Sequence, residues 1–406
     1  MSELRTISLF SGAGGMDLGL EMAGWRTAYA CDLDPFAVET LTANAGLDLG
    51  DRRKAFGDAF IERADVTKLR ANEILAKAGV QKGAVTLLTG GPPCQSWSSA
   101  GHQRGFDDPR GRLFTDFVRI AKGLDARWLL LENVRGLLTA RGPDGQPGSA
   151  LNHIRKSLLA AGYQTTVELL NAADFGVPQR RVRLFMIGFR AGDPPRFPNP
   201  THARRADLVG APKWVSLAYA LAGVDGLTSD EVIRPSVKLA EELAAVMPGS
   251  GVKSPGKAER TRPGGHWGYK QGAFVADTSQ PGRTVTASAA QDWIRDPKLG
   301  LRRLCPRECA AIQSFPPNWR FAGNAVTQYR LIGNAVPPRL AKALGESLRI
   351  DAHLSNSGGA ARLDELTPLS ARLAYHVRYT AKEDASNGKS RREAPSRRLS
   401  RAAPGP

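Results

Sequence analysis

The sequence predicts a doubly wound α/β domain followed by a second, smaller and irregular one. Three observations carry that reading. Over residues 1–190, short apolar runs alternate with segments whose apolar residues recur at helical spacing. That is the rhythm of a mostly parallel sheet covered on both faces. The first run ends in the glycine-rich turn Ser11-Gly12-Ala13-Gly14-Gly15, at the strand end where such sheets hold ligands. From about Ala191 the rhythm stops, and stretches such as DPPRFPNP and RTRPGGHWGYK take over.

Taken in order, the strand candidates are Arg5–Phe10, Thr27–Cys31, Val85–Thr89, Trp128–Leu131, Gln164–Leu170 and Val182–Phe189. Between them, Met16–Ala23, Pro35–Asn44, Ala71–Ala78, Arg112–Gly123 and Leu151–Ala161 keep helical periodicity. Residues 191–318 read as the second domain with its hinge. Helical spacing returns at Pro337–Leu348, where two prolines suit a first turn whose N–H groups need no partner. The C-terminal extension, 353–406, reads as basic and disordered from 385, with Pro, Ser and Gly and no apolar period. No internal repeat is present.

Composition narrows the function. The chain has 406 residues, 56 Lys+Arg against 39 Asp+Glu, and a net charge of +17. A pI near 10.1 points to a polyanion, nucleic acid before membrane. No apolar run reaches the ~18 residues of a membrane helix, and the N-terminus does not start a signal peptide. Four cysteines are too few for a disulfide scaffold, so a reducing, cytoplasmic compartment is expected. The charge is uneven: residues 301–406 hold 18 basic and 8 acidic side chains. The tail from 385 reads as a solvated terminus whose removal would weaken salt-sensitive DNA binding more than site choice.

The candidate chemistry sits after the strands. The turn at Gly12 and Gly14 lets a nucleotide-like ligand approach the backbone, but Asp17 stands where a dinucleotide fingerprint needs its third glycine. Asp32, ending the second strand, is placed to accept from ribose hydroxyls. Cys94 follows two prolines in Gly90-Gly91-Pro92-Pro93-Cys94-Gln95-Ser96-Trp97-Ser98 and reads as a presented nucleophile rather than a packed thiol. Glu132 follows four apolar residues, so desolvation should raise its pKa and suit it to donate a proton. Alternation places Arg181 and Arg183 on one face, able to anchor an acid or a phosphate. Cys305 and Cys309 lie four apart without a Cys or His partner at ligand spacing; they read as buried packing, and no metal is expected.

The ordered blocks SLFSGAGG, GGPPCQSWS, ENV, QRRVR, RRLCPRECAAIQSFPPNW and IGNAVP resemble the DNA cytosine-5 methyltransferase family across about residues 5–350, with a variable gap near 191–280. The resemblance implies a Rossmann-like S-adenosylmethionine-dependent methyltransferase domain, completed by 319–352, and a target-recognition domain over 191–318. It implies Cys94 as nucleophile, Glu132 as the acid facing the pyrimidine N3, and Arg181 and Arg183 as supporting arginines. For S-adenosylmethionine it implies Phe10, Gly12, Gly14, Asp32, Leu33, Asp65, Val66, Pro92, Leu113, Asn334 and Val336. That ligand has no pyrophosphate, which accounts for Asp17. For DNA it implies Ser98, Gln179, Thr284 and Thr286, with the aromatic-basic stretch His266–Lys270 in the recognition region.

The reaction so implied methylates C5 of a flipped-out cytosine in a short duplex sequence through a Cys94–C6 adduct, with Gln95–Arg112 as a mobile lid. The implied partners are double-stranded DNA and a restriction endonuclease acting on the same site. A monomer without membrane contact, cytoplasmic and nucleoid-associated, is expected. Two alternatives share the fold: a tRNA cytosine-5 methyltransferase, against which the Cys-Phe-Thr block typical of that branch is absent, and a catalytically inactive DNA-binding homologue, against which Cys94, Glu132 and Arg181 stand intact.

Overall fold

A computed structural model describes residues 4–50, 53–93, 113–142, 144–190, 193–205, 210–253, 272–354 and 365–393, with backbone alone over 352–354 and 383–393. Seven strands form the central sheet: β1 (Arg5–Leu9), β2 (Arg26–Asp32), β3 (Phe60–Arg63), β4 (Leu87–Gly90), β5 (Trp128–Val134), β6 (Gln164–Asn171) and β7 (Val182–Phe189). Their order is β3-β2-β1-β4-β5-β7-β6, reversing direction at the topological switch between β1 and β4. All strands are parallel except β7, which runs antiparallel to both β5 and β6. The start of β7 therefore lies at the same edge as the carboxyl ends of the others.

Helices α1 (Gly15–Met22), α2 (Pro35–Asn44), α3 (Ala71–Ala78), α4 (Leu113–Leu124) and α5 (Ser149–Ala160) cover the two faces. Five of the six sequence-predicted strands lie within two residues of those observed at both ends, and Trp128–Leu131 stops three residues short of the end of β5 at Val134. The strand the sequence hides is β3. It is a four-residue edge strand with no buried position, so neither alternation nor an apolar run marks it.

The second region contains α6 (Leu217–Leu221), α7 (Val237–Ala244) and a small sheet of β8 (Ser250–Gly251), β9 (Phe274–Val275), β10 (Trp293–Asp296) and β11 (Gly300–Arg303). Leu243, Val246, Val275 and Trp293 form its own core. Helices α8 (Pro306–Ile312), α9 (Ala325–Asn334) and α10 (Pro338–Leu354) follow. Cys309, Ile312 and Phe315 share one apolar cluster with Ala13, Leu18 and Leu41 of the first domain. Leu217, Ala276 and Val285 of the second region belong to the same cluster.

Helix α10 closes on α1 through small residues. A Cβ on Gly19 would meet the Pro338 carbonyl and the Ala341 Cβ at 2.4 Å, and one on Gly15 would meet the Val336 carbonyl at 2.2 Å. Finally, α11 spans Ala371–Glu393. The expectation of disorder from 385 is corrected over 385–393, where Ala, Lys, Arg and Glu supply helix propensity that the Ser and Gly only dilute. Among the described residues no helix is long and apolar enough to cross a membrane.

Candidate active site

The loops after β1, β2, β3, β4 and β5 meet the start of β7 at one edge of the sheet. The chain leaves β1 with Phe10 at φ 56° and Gly12 at φ 55°, a left-handed path that lifts the backbone away from the strand direction. Asp32 fixes this loop. Its Oδ2 accepts from Gly12 N at 2.8 Å and its Oδ1 from Asp34 N at 2.9 Å. Burial raises the Asp32 pKa, and the Asp34 and Gly12 amides pull it back. Leu33 beside it is 58% exposed, an apolar side chain held at the rim. A Cβ built on Gly12 meets nothing within 4 Å, so this turn borders open space.

Gly14 does different work. Its φ is 76°, it caps α1, and a Cβ there would strike Leu41 at 2.6 Å. Asp17, in the first turn of α1, is fully buried. It therefore reaches no ligand at the turn, whatever the ligand's phosphates.

After β3, half-buried Asp65 accepts from Thr67 N at 3.0 Å and from its hydroxyl at 2.7 Å, which holds its pKa low. Val66 is buried. Arg119 of α4, which sequence reasoning missed, clamps this turn. It donates to the Val66 carbonyl at 2.9 Å and the Leu69 carbonyl at 2.7 Å. Leu113, half-buried, begins α4.

At the centre, Glu132 lies two residues before the end of β5. Arg183 Nε lies 3.2 Å from its Oε1, because Arg183 pairs with Val134 in the β5–β7 register and so sits diagonal to Glu132. Burial raises the Glu132 pKa, and Arg183 and then Arg181 oppose it. A Cβ on Gly91 would lie 3.3 Å from Glu132 Oε2, so the strand leading to Cys94 passes directly beside this acid. Buried Pro92 offers its carbonyl to Asn133 Nδ2 at 3.2 Å, which ties the same loop to β5. Cys94, Ser98 and the loop Gln95–Arg112 lie outside the described residues, as does His266–Lys270.

Two polar residues of the same block make long-range internal contacts. Arg181 immediately precedes β7. It is 1% exposed and donates to the Val285 carbonyl at 3.1 Å and the Gly333 carbonyl at 2.9 Å. It is a buried strut whose charge also lowers the Glu132 pKa. Gln179, expected at DNA, is fully buried. Its Nε2 donates to Gln313 Oε1 at 2.8 Å and its Oε1 accepts from Val285 N at 2.9 Å.

Gln313 in turn donates to the Ile332 carbonyl at 2.6 Å and the Ala335 carbonyl at 3.2 Å. Gln179, Arg181 and Gln313 thus hold the 332–336 turn, which carries exposed Asn334 and buried Val336. Half-buried Thr284 spends its hydroxyl on the Arg180 carbonyl at 2.9 Å, whereas Thr286 is exposed. Cys305 and Cys309 are both buried, as the sequence predicts, Cys309 in an apolar cluster and Cys305 beside Glu308.

An acid under desolvation thus sits beside an arginine near the carboxyl edge of a 3-2-1-4-5-7-6 sheet. The profile of the C-5 cytosine-specific DNA methylases matches residues 4–349. The chain belongs to that family. This C-5 cytosine methylase is 32% identical over 370 residues to the type II methyltransferase M.FnuDI of Fusobacterium nucleatum, covering 85% of this chain and 94% of that one. It is 33% identical over 351 residues to M1.HphI of Haemophilus parahaemolyticus, covering 85% and 86%.

In fold it is similar to a putative DNA modification methyltransferase from an E. coli prophage (TM-score 0.60, 22% identity, 86% of this chain and 100% of that one). It is also similar to S. pombe Dnmt2 methyltransferase (TM-score 0.58, 18% identity, 86% and 99%). The fold is the Rossmann-like one of S-adenosylmethionine methyltransferases. The donor set of this methylase suits that cofactor: an unobstructed glycine turn, an acceptor carboxylate at Asp32 and an apolar rim at Leu33.

Proposed function

We propose that this methylase transfers a methyl group from S-adenosylmethionine to C5 of a flipped-out cytosine in a short duplex sequence, as the modification half of a type II restriction-modification system with a companion endonuclease. The reading rests chiefly on Glu132, held by Arg183 at 3.2 Å on the edge where the Gly91–Pro93 loop delivers Cys94. The names of the type II relatives point the same way.

The cofactor supplies an electrophilic methyl-sulfonium when bound. Phe10, Gly12, Gly14, Asp32, Leu33, Asp65, Val66, Pro92, Leu113, Asn334 and Val336 are the positions proposed to border it, several of them through backbone alone. Cys94 as thiolate adds to C6 of the cytosine. Glu132, its pKa raised by burial, donates at N3, and Arg183 holds its carboxyl group in place. C5 becomes enamine-like and takes the methyl group. The C5 proton then leaves to solvent or base, the C6–S bond breaks to return the thiolate, and the N3 proton goes back to Glu132. Cytosine stacked in a duplex cannot reach this edge, so the base must be extruded.

Sequencing of methylated cytosines in DNA from cells expressing the chain should find 5-methylcytosine in one short sequence context. Cys94→Ser should abolish it while cofactor affinity changes less than about twofold. Methyl label entering tRNA and never duplex DNA would overturn the reading, and wild-type turnover by Cys94→Ser would overturn the nucleophile.

A further inference from the structure

The family match ends at residue 349, yet the chain beyond it is docked with care onto the catalytic sheet. Gln164, at the start of β6, donates to the Glu365 carbonyl at 2.6 Å and accepts from the Thr367 hydroxyl at 3.0 Å. Midway along β6, Arg372 reaches Glu168 and donates to the Leu169 carbonyl at 3.1 Å. Leu373 is fully buried in the cluster containing Leu137 and Leu138. These two belong to the 3₁₀ turn Arg135–Thr139 that follows Glu132. Higher still, the Val377 methyls would lie 3.0 Å from a Cβ on Gly148, the cap of α5.

These contacts give α11 a direction. Strand β6 is parallel to β5, since each is antiparallel to β7 between them. Gln164 therefore marks the amino edge of the sheet, and the Gly148 cap, reached from the end of β5, marks the carboxyl edge. The helix climbs from one to the other and continues to Glu393. The sixteen residues after Val377 extend it about 24 Å further at 1.5 Å per residue. That is the edge near which Glu132 and the Gly91–Pro93 segment lie.

The projecting stretch is basic. Arg378 and Lys382 are exposed, and Lys389, Arg391 and Arg392 follow, against Glu383, Asp384 and Glu393; Arg397, Arg398 and Arg401 come after the helix. A helix built only to cover the β6 edge could end at Val377. We infer that α11 is an accessory arm that contacts the phosphate backbone of duplex DNA flanking the target base. This rests on the proposed duplex substrate. Phosphate contacts position a duplex and carry no sequence code, so the arm would add affinity without choosing the site.

The test uses the full chain and mixed-sequence duplex DNA, with affinity followed across salt concentration. The variant Arg378→Gln, Lys382→Gln, Lys389→Gln, Arg391→Gln, Arg392→Gln should lower the slope of log affinity against log salt by about 2 to 4, close to one per lost phosphate contact. Glu383→Gln with Asp384→Gln, which adds positive charge without removing a contact, should strengthen binding. Slopes within about 0.5 of wild type in the first variant, with no gain in the second, would overturn the arm and leave α11 a solvated cover for β6. Methyl transfer by the wild-type chain to duplex DNA is read in parallel. Its absence would sink the proposed function itself, whereas its presence with unchanged slopes would sink only the arm.

Discussion

Asp17 is a carboxylate with 1% exposure, and neither of its oxygens makes a hydrogen bond of good geometry among the described residues. Burial is the largest influence on it, with Ser8 opposing and Asp32 adding repulsion, and it raises the pKa from 3.8 to about 6. Because the folded state holds this proton more tightly than the unfolded one, the cost of Asp17 is absent below about pH 4. It grows between pH 4 and 6 and is complete above. Asp17→Asn should therefore stabilise the fold by about 1–3 kcal/mol at pH 7.5 and by nearly nothing at pH 4. Thermal unfolding of both proteins across that range checks it, and an equal gain at both pH values would show that charge is not the cause. The sequence marks Asp17 only as a missing glycine. Its burial comes from β1 and its neighbours folding over α1, which local pattern does not encode.

At the scale of elements, periodicity and turn chemistry made most of the sheet and the edge carrying Glu132 legible. Roles that depend on distant partners were not. Gln179, Arg181 and Arg183 share one block in sequence; Arg183 pairs with Glu132, and the other two reach Gln313, Val285 and Gly333, more than 100 residues away. Residue type announced a polar function, and only the return of α8 and α9 decided what it touches. This separates two roles for Gln179. As a strut, Gln179→Ala leaves Gln313 Oε1 and Val285 N without their partner, which should cost about 1–3 kcal/mol in denaturant unfolding. It should also weaken cofactor binding through the loosened 332–336 turn. A DNA-contacting Gln179 would instead lose duplex affinity at unchanged stability.

For the molecule as a whole, the cofactor edge is assembled from two ends of the chain, and the seam between them is α1 against α10. Trp25 donates to the Gly345 carbonyl at 2.8 Å across this seam, and Gly15 and Gly19 let the backbones approach. The glycine-rich segment therefore has two functions that its sequence does not distinguish. Gly12 borders open space, whereas Gly15 and Gly19 make room for α10. Filling the seam should separate its halves: at Gly19 the obstructing atoms are the Pro338 carbonyl and the Ala341 Cβ, both at 2.4 Å, and neither is a flexible side-chain end. Gly19→Val should destabilise the protein by about 1–3 kcal/mol or more by overpacking. It should also displace the Asn334–Val336 turn, so cofactor affinity falls along with stability although residue 19 borders no ligand. Gly223→Ala, whose Cβ would meet nothing closer than 3.6 Å, is the matched control and should stay within about 0.5 kcal/mol of wild type. Calorimetric titration of cofactor at a temperature where all three proteins remain folded distinguishes the outcomes. Unchanged affinity in Gly19→Val would mean that the turn is held by the Gln179–Gln313 network alone and that α10 contributes only stability.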